Sequence, residues 1–234
     1  MIFAYLCGAG VNNTFALILS IAVSVIVPYL LGSLNFGIIF SRLLYKADVR
    51  DSGSGNAGST NMLRTYGKKA GILTFLGDCA KTALAISVGL LMLLERGMFI
   101  AGLFCMIGHT YPIFFKFKGG KGVACFAILV LMTCIKMGIW YVFLILFAMF
   151  AIIVIGTKYV SLGSIVCSLI YPIILNRFIH MFENNPYQSV EMFAVFAGLF
   201  VVFQHRSNIV RLFKGNENKI NLFKKKDKKN TEEK

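Results

Sequence analysis

Three stretches of this 234-residue chain bring glycine, small hydroxyl side chains and basic groups together. The first runs Asp48-Val49-Arg50, then Gly53-Ser54-Gly55-Asn56-Ala57-Gly58-Ser59-Thr60-Asn61, then Arg64. Glycines let backbone N–H groups approach an anion closely, Ser and Thr hydroxyls add donors, and Arg64 offers a planar fork to phosphate. The plain alternative is a flexible turn with solvated hydroxyls. Gly53, Gly55 and Gly58 also satisfy G-x-G-x-x-G, with Asp78 twenty residues beyond. A dinucleotide fold would need a preceding strand and a βαβ unit. An apolar helical run precedes instead, and Asp78 falls inside another, so that reading is rejected.

The second stretch reads Gly108-His109-Thr110-Tyr111-Pro112, then Phe117-Lys118-Gly119-Gly120-Lys121-Gly122-Val123-Ala124. It fails the P-loop pattern on both sides of Lys121. Three glycines around a lysine, just before an apolar helix, still make backbone donors, a helix N-terminus and an ammonium converge, and each favours phosphate. The alternative is a lysine that anchors a membrane helix at the interface. The third stretch reads His205-Arg206-Ser207-Asn208-Ile209-Val210-Arg211-Leu212, then Gly215 and Glu217. On a helix His205 and Asn208 share a face, as do Asn208 and Arg211. His205 is a candidate acid, base or phosphate donor. His109 and His180 are expected to be simply solvated.

The elements that must position these groups are membrane helices. Of the residues 57% are hydrophobic and only 15% charged, and the mean hydropathy is +0.74. Apolar runs recur from Ala16 to Phe203, and a span needs about 20 mostly apolar residues. The pattern excludes a secreted disulfide scaffold, a disordered chain and an ordinary soluble enzyme. Helices are expected over residues 16–44, 70–94, 98–115, 122–136, 139–157, 160–180 and 189–204. The third and fourth are short for a span, which calls for tilt, kinks or shallow insertion. Asp78 and Lys81 are the clear charges inside a span, and their spacing suits a salt-bridged helical turn. The six cysteines fall singly and are expected to be small, reduced core residues.

The formal net charge is +14, and its location matters more than its size. With seven spans, twenty basic residues fall on one side of the membrane and three on the other. By the positive-inside rule the C-terminus is cytoplasmic and the N-terminus outside. All three polar stretches then lie at the cytoplasmic surface. The Lys-rich end is expected to be a tail touching anionic headgroups, not a nucleic-acid site. Residues 1–218 form one membrane domain and residues 219–234 the tail.

The three stretches, GSGNAGSTNMLR, GHTYPIFFKFKGGKGVA and HRSNIVRLFKGNE, resemble the ordered motifs of the bacterial acyl-phosphate:glycerol-3-phosphate acyltransferases, the PlsY type. Tyr29 to Ser33, Asp48-Val49-Arg50 and Lys158 to Ser164 match the same pattern in order, and the resemblance covers about residues 16 to 218. Departures are small: Thr82 follows Lys81 where the family usually has Gly, and Ser59 and Gly163 replace the commoner Ala. The resemblance implies an all-α, polytopic protein with about seven transmembrane helices in the bacterial plasma (inner) membrane, its site on the cytoplasmic face. It implies transfer of a fatty acyl group from acyl phosphate to the 1-hydroxyl of sn-glycerol 3-phosphate, giving lysophosphatidate and phosphate, the first acylation of phospholipid synthesis. It implies neither a cofactor nor a metal. Carried over by motif position, Ser54, Arg64, Lys121, His205 and Asn208 are catalytic, and Thr60, Asn61, Gly119, Gly120, Gly122 and Ser161 bind substrate phosphate. The bilayer and a soluble enzyme that makes acyl phosphate are the implied partners.

Acyl phosphate is already activated, so no covalent enzyme intermediate is required. Two dianions must be held side by side, which fixed cations and oriented donors make feasible. The attacking hydroxyl could lose its proton to His205 or to the donor's phosphate oxygen, and the second is preferred. The competing function is transport of a phosphorylated anion. Transporters, however, usually bind near the midplane between repeats, whereas these motifs gather at one face.

Overall fold

The computed structural model describes residue 2, residues 12–180 and residues 188–220. Cys7, both chain ends and the Lys224–Lys226 run lie outside the described residues. Within them, every regular element is a helix.

Helix α1 (Asn13–Ser33) starts at Asn12, whose side-chain oxygen accepts the N–H groups of Thr14 and Phe15. It is followed by α2 (Phe36–Tyr45). The sequence suggests one helix over 16–44; the structure breaks it at Leu34 and Asn35. Asn35 takes the N-cap role, its Oδ1 accepting Ile38 N–H at 3.2 Å, and a side chain that caps a new helix competes with continuation of the old one. Two short helices lie inside the polar stretches, outside the expected apolar spans: α3 (Ser59–Tyr66) and α9 (Arg206–Phe213), the second being the helix on which the sequence places His205, Asn208 and Arg211.

The long element α4 (Lys68–Thr110) is two arms. Leu94 sits at φ 55° and ψ −138°, outside helical geometry. The arms fold back on each other so closely that a Cβ on Gly89 would land on the Gly97 carbonyl oxygen. The break falls where the sequence separates its second and third helices. Next come α5 (Val123–Lys136), α6 (Trp140–Thr157), α7 (Val160–His180) and α8 (Gln188–Gln204).

Among the described residues, four helical stretches are long and apolar enough to cross a membrane: Asn13–Tyr45, Lys68–Phe115, α6 and α7. A fifth results if α8 and α9, bent by 57°, count as one span. Helix α6 is apolar on all sides, yet only Val142, Leu146 and Val154 of its residues are buried, and Ile152 and Ile155 are 72% and 70% exposed. An apolar surface of that kind fits lipid, not water. The core lies between the second arm of α4, α5, α7 and α8, where Phe99, Met106, Cys125, Phe126, Tyr171, Leu175 and Val201 pack. Cys79, Cys105, Cys125, Cys134 and Cys167 are free thiols.

Candidate active site

The first polar stretch is organised by two side chains. Asp48 accepts from Arg50 Nε at 2.9 Å and Nη2 at 2.7 Å, and from Arg42 Nη2 at 2.9 Å. The Arg50 guanidinium holds this carboxyl well below the usual carboxylate range. Arg50 Nη1 also reaches the carbonyls of Phe115 and Lys118, both at 2.9 Å, so one residue ties the first stretch to the second. Asn61 is buried; its amide donates to Val49, Ser52 and Asn56 carbonyls and its Oδ1 accepts Ser54 N–H. These bonds curl residues 49–56 around Asn61. The curl brings Ser54, the start of α3 with Thr60, and Arg64 to the rim of one cavity.

The second stretch closes on itself. Gly119 N–H donates to Thr110 O at 3.0 Å and Gly120 N–H to His109 O at 3.1 Å. The sequence casts these N–H groups as phosphate donors, but in the fold both are used to shape the loop. Of the three glycines only Gly122 lines the cavity, with Lys121, Val123 and Ala124 at the start of α5. Gly122, at φ 77°, supplies the left-handed turn into that helix. Lys121 Nζ donates to Asn208 Oδ1, joining the second stretch to the third.

The third stretch hangs on a carboxylate that the sequence reading quotes but does not place in the site. Glu217 Oε1 accepts from Asn208 Nδ2 at 2.6 Å and Ser161 Oγ at 2.9 Å, and Oε2 accepts Arg211 Nε at 2.7 Å. Burial pushes the Glu217 carboxyl up, but those hydrogen bonds outweigh it and the net shift is downward. The signal in the sequence was its isolation: it is the one acidic residue between Arg206 and Ile220, amid four basic side chains. His205, between α8 and α9, donates Nδ1–H to Val201 O at 2.8 Å. Its remaining nitrogen, Nε2, then carries the lone pair. Burial, with Lys121 nearby, pushes the His205 pKa down to about 4. Burial likewise lowers Lys121 to about 8, against the pull of Glu217 and with help from Arg211 and Arg64.

All of this borders a cavity of about 460 Å³. Its polar lining includes Ser54, Thr60, Asn61, Arg64, Lys121, Ser161, His205, Asn208, Arg211 and Glu217. Its apolar lining includes Phe75 from α4 with Phe147, Phe150, Val154 and Ile155 from α6. Asp78 and His109 also reach it. His109 is not a solvated side chain as expected; it is 3% exposed, because the Gly119–Gly120 loop folds over it. His180 is exposed and lies near Glu191. A cavity lined by both cationic and apolar side chains can hold phosphate and hydrocarbon of an amphiphile at once.

Residues 22–215 match the family model described as glycerol-3-phosphate acyltransferase. The chain is 38% identical over 204 residues to a glycerol-3-phosphate acyltransferase of Carboxydothermus hydrogenoformans, covering 86% of this chain and 96% of that protein. It is 37% identical over 200 residues to one of Bacillus subtilis, covering 86% and 97%. The fold resembles the crystal structure of PlsY (YgiH), an integral membrane glycerol 3-phosphate acyltransferase, in its glycerol 3-phosphate form. The TM-score is 0.77 at 34% identity, over 88% of this chain and all of that one. The lysophosphatidic acid form gives 0.73 at 33% identity, over 87% and 96%.

Proposed function

The chain belongs to the glycerol-3-phosphate acyltransferase family, and from that premise we propose that it acylates the 1-hydroxyl of sn-glycerol 3-phosphate with acyl phosphate as donor. The observation that carries this reading is the meeting of three separate polar stretches on one cavity that is also lined by apolar side chains. Arg64, Lys121 and Arg211 supply three cations for two phosphates, and Ser54, Thr60, Asn208 and the start of α5 add oriented donors. Asn61, Gly119, Gly120 and Glu217 hold the loops that carry them. The acyl chain lies along Phe75, Phe147, Phe150 and Ile155.

In the step itself the acceptor hydroxyl oxygen attacks the acyl carbonyl carbon, and the bond from that carbon to the phosphate oxygen breaks. The hydroxyl proton passes to an oxygen of the departing phosphate. The products are lysophosphatidate and inorganic phosphate. Burial and the nearby Lys121 lower the basicity of His205, which favours the phosphate oxygen as the proton acceptor. His205 serves instead to orient substrate through Nε2. We place the site on the cytoplasmic face, with about seven membrane passes and the N-terminus outside. Counting each arm of α4 and the short α5 as separate passes supports that number. A soluble enzyme that makes acyl phosphate delivers the donor there.

Donor choice tests the reading. Purified protein in detergent is expected to convert palmitoyl phosphate and glycerol 3-phosphate into lysophosphatidate, and to give none from palmitoyl-CoA. Comparable turnover with the CoA ester would overturn it.

A further inference from the structure

Gly163 lies near the start of α7 with its φ outside the left-handed region, so no turn requires glycine there. Within a helix glycine is less stable than alanine, and the position calls for a packing reason. The neighbouring helix α6 supplies it. A Cβ on Gly163 would stand 2.9 Å from Phe150 Cδ2 and 3.1 Å from Val154 Cγ2. Both distances fall inside the roughly 3.5–4.0 Å at which carbon atoms pack. Phe150 and Val154 are one turn apart on α6, and both line the cavity.

Helices α6 and α7 are tied on both sides of this contact. Lys158 and Tyr159 alone separate them in sequence, and Thr157 Oγ1 accepts the Tyr159 N–H at 3.2 Å. One turn beyond Gly163, Cys167 Sγ donates to the Leu146 carbonyl at 3.5 Å. An added methyl is therefore met by the two side chains, the Phe150 ring above all, and not by separation of the helices. Ser161, two residues before Gly163, does not share its helix face. The Ser161 hydroxyl donates to Glu217 at 2.9 Å, within the polar lining. One turn of α7 thus serves the phosphate side through Ser161 and the hydrocarbon side through Gly163.

We propose that Gly163 is a specificity-determining residue for the hydrocarbon chain of a phosphate-bearing amphiphile. Lacking a side chain, it lets Phe150 and Val154 settle against α7, and so it sets the width left for the chain in the cavity. A chain that ends short of Phe150 is indifferent to the residue at 163, and one that runs past it is not. That the chain is the acyl group of acyl phosphate rests on the acyl-transfer reading; the fit of the chain does not.

The test uses the full chain in detergent, titrated calorimetrically with ethyl phosphate and with hexadecyl phosphate. Gly163→Ala is expected to weaken hexadecyl phosphate about tenfold, the effect of one methylene group in a fitted apolar site, and to leave ethyl phosphate and glycerol 3-phosphate within about twofold. Removing the ring returns the space, so Gly163→Ala combined with Phe150→Ala should bind hexadecyl phosphate as tightly as Phe150→Ala alone. That second comparison decides the matter even where Gly163→Ala alone does not fold. Unchanged hexadecyl phosphate affinity in Gly163→Ala, an equal loss for both probes, or a gap that persists in the Phe150→Ala background overturns the proposal. So does failure of the unmodified protein to bind hexadecyl phosphate. In turnover, KM for palmitoyl phosphate should rise about tenfold in Gly163→Ala while KM for glycerol 3-phosphate holds. Absence of turnover in wild type, with the binding pattern intact, would count against the acyl-transfer reading alone.

Discussion

Arg64 and His205 face the same cavity and are expected to fail differently. Arg64 has no hydrogen bond among the described residues, so its planar fork is available for phosphate. Arg64→Lys keeps the charge and loses bidentate geometry, and its activity should drop nearly as far as that of Arg64→Ala, roughly 100-fold. His205→Gln should retain measurable turnover with a raised substrate requirement. With the His205 pKa near 4, its titration lies below the usual assay range. An acidic limb at higher pH belongs instead to substrate phosphate, whose second ionisation is near pH 6, and it should survive the substitution. A dead, flat profile in folded His205→Gln would return the base role to His205. Lys121, lowered to about 8, loses its proton and its hold on phosphate as pH rises through that value. The alkaline limb of kcat/KM should fall near pH 8 and move upward in Lys121→Arg. The donors at these positions could be read from residue type and order. Their bonding could not, because the sequence does not say that Gly119 and Gly120 close a loop, or that Glu217 gathers Ser161, Asn208 and Arg211.

Among the elements, the long apolar helices were legible from hydropathy alone, and the short ones were not. Helices α3 and α9 are eight residues each, too short to be stable alone. They form because Asn61 and Asn208 lock into surrounding loops, which are contacts across the fold. The break between α1 and α2 was hidden for the opposite reason. Leu34 and Asn35 sit in a largely apolar stretch, and the group that stabilises the freed carbonyls, Lys81, is 47 residues from Leu34. Arg50 joins two of these elements. Arg50→Ala leaves the carbonyls of Phe115 and Lys118 without their side-chain donor and takes two side-chain bonds from Asp48, which keeps Arg42. It should cost on the order of 2 kcal/mol, since hydrogen bonds to charged groups are at stake. It should also raise KM for glycerol 3-phosphate by loosening the loop that carries Lys121. Thermal unfolding in detergent, with steady-state kinetics on the same sample, checks both; an unchanged melting temperature and KM would show the clamp to be idle.

For the whole molecule, the charge count is the feature that orients the chain in a bilayer. Basic residues fall twenty to three across the membrane under a seven-pass topology. Reporter fusions at Met1 and Lys234 are expected to report opposite sides, the C-terminal one cytoplasmic; fusions on the same side would break the seven-pass count. Under that topology the cationic lining of the cavity would lie at the cytoplasmic surface, while the α6 side chains Phe147 and Ile155 that line it are exposed on the apolar helix surface. The proposed reaction has this one cavity move an acyl group from one phosphorylated molecule to another. The direct measurement is product stoichiometry in purified protein given palmitoyl phosphate and labelled glycerol 3-phosphate. One lysophosphatidate is expected for each phosphate released, with both products lost together in the Arg64→Ala, Lys121→Ala double variant. Phosphate release without lysophosphatidate, or lysophosphatidate formed undiminished by the double variant, would contradict it.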